Sequence, residues 1–373
     1  MRYRYSTGDP AVDEAIERMI RGYAPDYSNA DLIHQMIVTA LKLVSDDADR
    51  GDLKILNTTM KEMRYSFKVF RPYRRARKVS VFGSARTPEE SDDYKQAREF
   101  SAEMARHGFM SITGAGHGIM KAGHVGAGRE KSFGVNIRLP FEQVANEVIA
   151  GDEKLVNFKY FFTRKLAFLK ETHAVVCFPG GFGTHDEGFE ALTLVQTGKS
   201  HILPIVFIHP RGASFWYDWD CYVKDRLLAR GMISAEDLSL YRVTDDVQVA
   251  CAEILRFYRR YHSMRYVGDD LVIRLESALK PEELAALNLE FGDLVKSGRI
   301  EPTAMLPEET SDPDIDHLPR LRLKFPRRRF GRLRQLIDRI NGFPLPPDTH
   351  MEVPEAGEGG QIPDEVDDPE VEE

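Results

Sequence analysis

Cysteine is scarce in this chain of 373 residues, with three in all. Cys177, Cys221 and Cys251 are odd in number and far apart, which fits neither a disulfide framework nor a zinc cluster. Long apolar runs are missing too. No window approaches the about 20 consecutive apolar residues of a membrane span, and Met1-Arg2-Tyr3-Arg4-Tyr5 leads into no apolar signal segment. The expectation is a cytoplasmic protein with no membrane partner. No G-x-x-x-x-G-K-[ST] sequence is present, which excludes a P-loop nucleotidase. The run Gly114-Ala115-Gly116-His117-Gly118 lacks the G-x-G-x-x-G spacing, and Asn136 and Arg138 stand where that fingerprint needs an acid, so nicotinamide and flavin enzymes are disfavoured. No metal or redox cofactor is expected. Lysine and arginine are absent from residues 351–373, which hold ten Asp or Glu; removing those charges from the net −8 leaves a body near +2. The Pro-, Gly- and Glu-rich tail is expected to be disordered.

What is present reads as an α/β protein. Hydrophobic residues make up 42% of the chain, enough for one large core and small satellites. Residues 10–70 have helical periodicity, Ala11 to Tyr23, a stretch from near Ser28 with Ile33, Ile37, Leu41 and Leu43 on one side, and Asp52 to Phe70. The basic run Arg71 to Lys78 reads as a solvated linker. Strands and helices then alternate, the signature of a parallel sheet with helical crossovers. Strands are predicted at 79–82, 109–113, 132–139 (stopped by Pro140), 173–178, 202–208 and 240–243, with helices at 89–107, 119–129, 159–172, 184–195, 215–230 and 247–261. Residues 263–343 read as a small α+β unit, βα repeated. Its run Lys324-Phe325-Pro326-Arg327-Arg328-Arg329 is basic, but Glu308, Glu309, Asp312, Asp314 and Asp316 share the unit, so a solvated face or a contact with the acidic tail is preferred to nucleic acid. The expected organisation is a helical extension over 1–77, a Rossmann-like doubly wound parallel sheet over 78–262, the α+β unit over 263–343, and the tail over 344–373.

Three strands end in small or glycine-rich turns, at 83–85, 114–118 and 179–184. In an open parallel sheet such turns share the carboxyl edge, where ligands bind at the topological switch point. The last is the most informative, because Cys177-Phe178-Pro179-Gly180-Gly181-Phe182-Gly183-Thr184-His185-Asp186-Glu187 reads as strand, turn and helix start. Free N–H groups at that helix start favour an anion such as phosphate. Two readings of Thr184 and Glu187 are open. They form a capping box, T-x-x-E, satisfying backbone donors, or phosphate takes those donors and Glu187 turns into the crevice. The helix dipole lowers a carboxyl pKa, so Glu187 is expected to be ionised at neutral pH. Arg164 and Lys165 precede the motif strand on a helix, and they read either as a surface charge pair or, for Arg164, as a bidentate anion ligand. Cys177 ends a buried strand and reads as structural.

These residues resemble the LOG family, cytokinin riboside 5′-monophosphate phosphoribohydrolases and related bacterial nucleotide nucleosidases long labelled lysine decarboxylases. Pro179 to Glu187 matches its P-G-G-x-G-T-x-x-E. Phe161-Phe162-Thr163-Arg164-Lys165 is similar to its Arg-Lys helix motif, and Gly114 to Ala122 to its first glycine-rich phosphate turn. The resemblance is specific over about residues 78–210. It implies hydrolysis of the N-glycosidic bond of a nucleoside 5′-monophosphate, no cofactor, and a homodimer or higher homo-oligomer. Catalysis falls to Arg164 and Glu187. Substrate contacts fall to Gly83, Ser84, Gly114, Gly116, Gly118, Met120, Lys165, Pro179, Gly180, Gly181, Gly183 and Thr184. His117, His124, His185 and Gly188 depart from the usual pattern; His185 is either a proton donor to the leaving base or an exposed helix-start side chain. A different class remains open as well, a non-catalytic nucleotide sensor with the C-terminal unit as output.

Overall fold

Asp9 opens the first helix, α1 (Pro10–Tyr23), by accepting from the N–H groups of Ala11 and Val12, with Pro10 in the first turn where its missing N–H costs nothing. α2 (Ala30–Ser45) and α3 (Arg50–Phe70) follow. The computed structural model describes residues 5–138, 145–307, 309 and 315–345. It divides into the units Met1–Glu62 and Met63–Glu373, the boundary falling within α3. The core of the first unit is small: Ile16 and Ile20 meet Val38, with Ala30, Ile33 and Ile37 around them. The expected stripe through Leu41 is displaced, since Leu41 is exposed and His34 is buried in its place.

In the second unit, seven strands form a parallel sheet in the order β4-β3-β2-β1-β5-β6-β7: β1 (Lys78–Phe82), β2 (Met110–Thr113), β3 (Ser132–Ile137), β4 (Leu155–Phe158), β5 (Ala174–Cys177), β6 (Ile205–Ile208) and β7 (Tyr241–Thr244). β1, β2, β5 and β6 are buried along their whole lengths, as the near-continuous apolar runs of a sheet covered on both faces require. The crossovers are α4 (Asp92–Arg106), α5 (Ile119–Ala127), α6 (Phe161–Glu171), α7 (Phe182–Gln196) and α8 (Phe215–Tyr222), and α9 (Val247–Phe257) follows β7. β4 has no counterpart in the sequence reading. It is a four-residue edge strand pairing only with β3, too short to show a period. The helix expected over 215–230 stops at Tyr222 and continues as a π-helical segment, Val223–Leu228. The third predicted strand ends at Ile137, and Leu139 and Pro140 lie outside the described residues.

The run Arg71 to Lys78 is not a solvated linker at its end. Arg77 and Lys78 are buried, the Arg77 guanidinium lying 3.8 Å from the ring centre of Tyr258. Lys78 Nζ donates to the carbonyls of Tyr73 (2.7 Å) and Ala76 (2.9 Å), and burial pushes its pKa down to about 8. Lys78 is held by the carbonyls that receive its donors, and Arg77 lies against an aromatic face.

The C-terminal part also differs from βα repeated. β8 (Tyr261–Val267) and β9 (Asp270–Leu275) form an antiparallel hairpin, so the strand expected over 265–275 is two strands turning at Gly268 and Asp269. α10 (Pro281–Phe291), β10 (Glu301–Thr303), β11 (Arg320–Leu323) and α11 (Phe330–Gly342) complete it, with sheet order β10-β11-β9-β8. Glu309 joins Arg274 and Arg320 in a buried cluster. Of the acids expected here, Glu308, Asp312 and Asp314 lie outside the described residues, as does the tail from Pro346 onward.

One side chain pins this part to the parallel sheet's last helix. Asn341 Oδ1 accepts from the N–H groups of Arg260 and Tyr261, each at 2.9 Å, and its Nδ2 donates to Phe257 O at 2.6 Å. Asn341→Ala orphans three buried backbone groups. The expected loss is about 3 kcal/mol, read as a lower urea midpoint with an unchanged slope.

Candidate functional site

The strand order reverses between β1 and β5, since the chain steps outward through β2, β3 and β4 and then returns to the other side of β1. At this switch point the two carboxyl ends are joined: Phe178 N–H donates to Phe82 O at 2.8 Å and Ser84 N–H to Pro179 O at 3.1 Å. A third turn is tied in by Ile119 N–H, which donates to Ser84 O at 3.0 Å. The backbone thus draws the turns at 83–85, 114–118 and 179–184 to one edge, where a cleft of about 1280 Å³ opens.

Of the residues singled out in the sequence, Gly83, Ser84, Gly114, Met120, Arg164, Gly180, Gly181, Gly183, Thr184 and Glu187 line this cleft. Gly116, Gly118, Pro179 and Lys165 do not; the first three shape the turns behind it. Gly118 has φ 58 and stands at the N-cap of α5, where a side chain would run into the Ser84 carbonyl. Gly114 leaves room for the Arg164 guanidinium, and a Cβ there would also lie 2.6 Å from Met120 Sδ.

α7 begins at Phe182 with Gly181 as its N-cap and no side-chain cap, so Thr184 lies inside the first turn and the capping box is not formed. The uncapped end opens on the cleft, which suits an anion. Glu187 sits one turn further in. The residue is 8% exposed, and burial raises its pKa to about 7 against the lowering pull of Lys165 and Arg164. The expectation of an ionised Glu187 is therefore corrected: burial outweighs a dipole whose effect fades beyond the first turn.

Arg164 reaches the cleft from α6. Its Nε donates to Val135 O at 2.9 Å, and its guanidinium lies 5.3 Å from the ring centre of Phe168. Burial lowers its pKa, with the Glu187 charge opposing. Lys165 points the other way. Its Nζ lies 2.8 Å from Asp186, 2.7 Å from Glu190 and 4.0 Å from Glu187. Burial opposes its charge, but these carboxylates together hold its pKa above the ordinary range.

His185 lines the cleft with one of its ring nitrogens engaged. Its Nδ1 bonds to Gly181 O at 3.0 Å, and the ring packs 5.2 Å from Trp216. His124 is buried against Thr113, Asn146 and the Phe133 carbonyl, and His117 is exposed. A side chain on Gly188 would press on the Phe207 ring at 3.1 Å, the packing reason for its departure from the pattern. Burial pushes the Cys177 thiol far up, out of the nucleophilic range.

Sequence reasoning missed a whole wall of the cleft: Phe161 and Phe182, with Phe215, Asp218 and Trp219 from α8. The available signal was the aromatic spacing Phe215, Trp216, Trp219, which puts one face of a helix on the Phe207 ring and a neighbouring face toward the crevice.

Residues 115–254 match the model of a family described as "possible lysine decarboxylase". Over those residues the chain is similar to the LOG family. No curated protein sequence matches the chain. Among solved structures, the molybdenum cofactor carrier protein from Chlamydomonas reinhardtii is similar at 19% identity, over 48% of this chain and 95% of its own, with a TM-score of 0.33. The structural-genomics target TM1055 is similar at 21% identity, over 47% and 96%, with a TM-score of 0.35. The molybdenum cofactor binding protein from the phototrophic bacterium Rippkaea orientalis gives 15%, 49%, 96% and 0.36. That similarity suggests a domain that binds or processes a nucleotide. A Schiff-base lysine for amino-acid decarboxylation needs a depressed pKa and access to substrate, whereas among the described residues no lysine lines the cleft, and the Lys165 pKa is held above its ordinary range. Among the described residues no cluster of metal-binding side chains occurs, and no helix is long and apolar enough to cross a membrane.

Proposed function

We propose that this protein hydrolyses the N-glycosidic bond of a nucleoside 5′-monophosphate, releasing the free base and ribose 5-phosphate. The observation that carries the reading is the shared cleft of Glu187 and Arg164, a buried carboxyl and a half-buried guanidinium beside an uncapped helix N-terminus. In this reading the phosphate lies at the start of α7 and Arg164 clamps an anionic oxygen. The C1′–N bond breaks with its electron pair leaving on the base. Glu187 as a carboxylate faces the resulting oxocarbenium-like ribose, whose charge is absent from the ground state, so the interaction favours the transition state. Water adds its oxygen to C1′, and the proton it loses balances the one taken up by the departing base. The exposed rings of Phe161, Phe182 and Phe215 offer faces on which a base stacks.

The deciding experiment incubates the purified protein with AMP, GMP, CMP, UMP and N6-prenylated AMP and follows free base and ribose 5-phosphate by chromatography. Binding of every nucleotide without base release, unchanged in Glu187→Gln, identifies the sensor instead. For the enzyme, the working form of Glu187 is ionised, so kcat/KM rises about tenfold per pH unit below about 7 and levels off above. A profile that falls over this range assigns Glu187 as an acid.

The proposal includes a homodimer. Phe162 and Leu166 are exposed together on α6, outside the cleft, apolar surface of the kind that copies of a chain cover. Light scattering on the eluting protein is expected to give about 85 kDa, twice the 42.5 kDa chain.

A further inference from the structure

Away from the nucleotide cleft, the edge of the antiparallel sheet gathers positive charge. Two adjoining hollows, of about 690 and 220 Å³, share Ser297 and Lys324. Lys296 N–H donates to Lys324 O at 2.8 Å, which sets the two lysines side by side, and Arg299 and Arg327 stand at the rims. All four are exposed. The acids of the same surface are largely engaged: Arg322 reaches Glu301 at 2.5 Å and Asp270 at 3.9 Å, leaving Asp269. Arg327 is held in place at some cost. Its backbone has φ 52, a left-handed conformation unfavourable for a residue with a side chain, and its guanidinium is fixed by Gly268 O at 3.0 Å and the Tyr266 ring at 4.5 Å. Neither the fold nor the hydrolysis of a nucleotide uses this arrangement.

We propose that this basic groove receives the chain's own acidic C-terminal segment. Charge complementarity selects it: residues 346–373 hold eleven Asp or Glu and no Lys or Arg. Reach allows it, because 28 residues extend to about 90 Å, more than the width of a domain of this size. Tethering favours it over a free anion, since a short linker gives an effective concentration in the millimolar range, where even a weak ionic contact is mostly formed. The groove is thereby shielded from other polyanions at low salt and opened at high salt.

The test uses the full chain. Carbodiimide coupling joins a lysine to a carboxylate that it touches. The expected links run from Lys296 or Lys324 to the acids of 352–373 within one molecule, and they disappear in 1 M NaCl. In parallel, lysine acetylation read by mass spectrometry compares the natural chain with one whose tail Asp and Glu are replaced by Asn and Gln. Neutralising the tail is expected to raise labelling of Lys296 and Lys324 about fivefold and to leave the exposed Lys95 unchanged. Equal labelling of the two lysines in both chains overturns the proposal, as do tail cross-links that spread over the exposed lysines without preference.

Discussion

Glu187→Gln is expected to lower base release by about a thousandfold while making the folded chain more stable at neutral pH. The two effects have one origin. A carboxyl whose pKa rises from 4.5 in the unfolded chain to about 7 in the cleft is easier to ionise when unfolded. Such a group destabilises the fold progressively as pH climbs from 4.5 through 7, and the penalty is absent below 4.5. An uncharged amide removes it, so Glu187→Gln should gain up to about 2 kcal/mol at pH 8 and nothing at pH 4. Lys165 keeps Asp186 and Glu190 after the change, so no cation is left bare. Thermal melts at the two pH values, set beside single-turnover rates, check both halves. A carboxylate that served only as a helix cap would lose stability at both pH values and keep its rate.

Arg164→Met is the second large effect, with kcat/KM about a thousandfold lower. The side chain reaches the cleft under close constraint, through Val135 O on its Nε and the gap left by Gly114. A lysine keeps the charge but not the planar fork, so Arg164→Lys should recover only a small part of the loss. The pH profile supplies the control. Arg164 pulls the Glu187 pKa down, so its removal should move the rising limb to higher pH. A variant that merely loosened the fold would let water reach Glu187 and shift that limb the other way.

The central sheet was legible because its strands are buried on both faces. Ala174 to Cys177 is apolar without interruption and Val79 to Phe82 is broken only by Ser80, and a glycine or proline follows each within two residues. β4 was not legible, because Leu155-Val156-Asn157-Phe158 is brief and its burial is uneven at the sheet edge. Arg77 and Lys78 misled for a different reason: composition records their charge but not the carbonyls and the ring of Tyr258 that receive it. Site residues read from glycine turns and from α6 were accessible because each lies beside a local motif. Phe215, Asp218 and Trp219 reach the cleft only after a crossover that a linear reading does not bring near Glu187. The Glu187 pKa required three dimensions as well. A helix start is visible in a sequence, but the depth of the carboxyl behind the turn is not.

The backbone bond from Ser84 to Pro179 has a consequence for what the cleft admits. It rivets two of the turns to each other, and Ile119 ties the third to the same residue. The mouth is therefore a fixed frame with hinged shutters, the rings of Phe161, Phe182 and Phe215, which swing by single-bond rotations. If a nucleotide binds as proposed, bulk added to the far side of its base would displace a ring and leave the phosphate end of the cleft undisturbed. Tolerance of decorated bases would then cost rotamer energy at the rim, not rearrangement of the chain that holds Glu187 and Arg164.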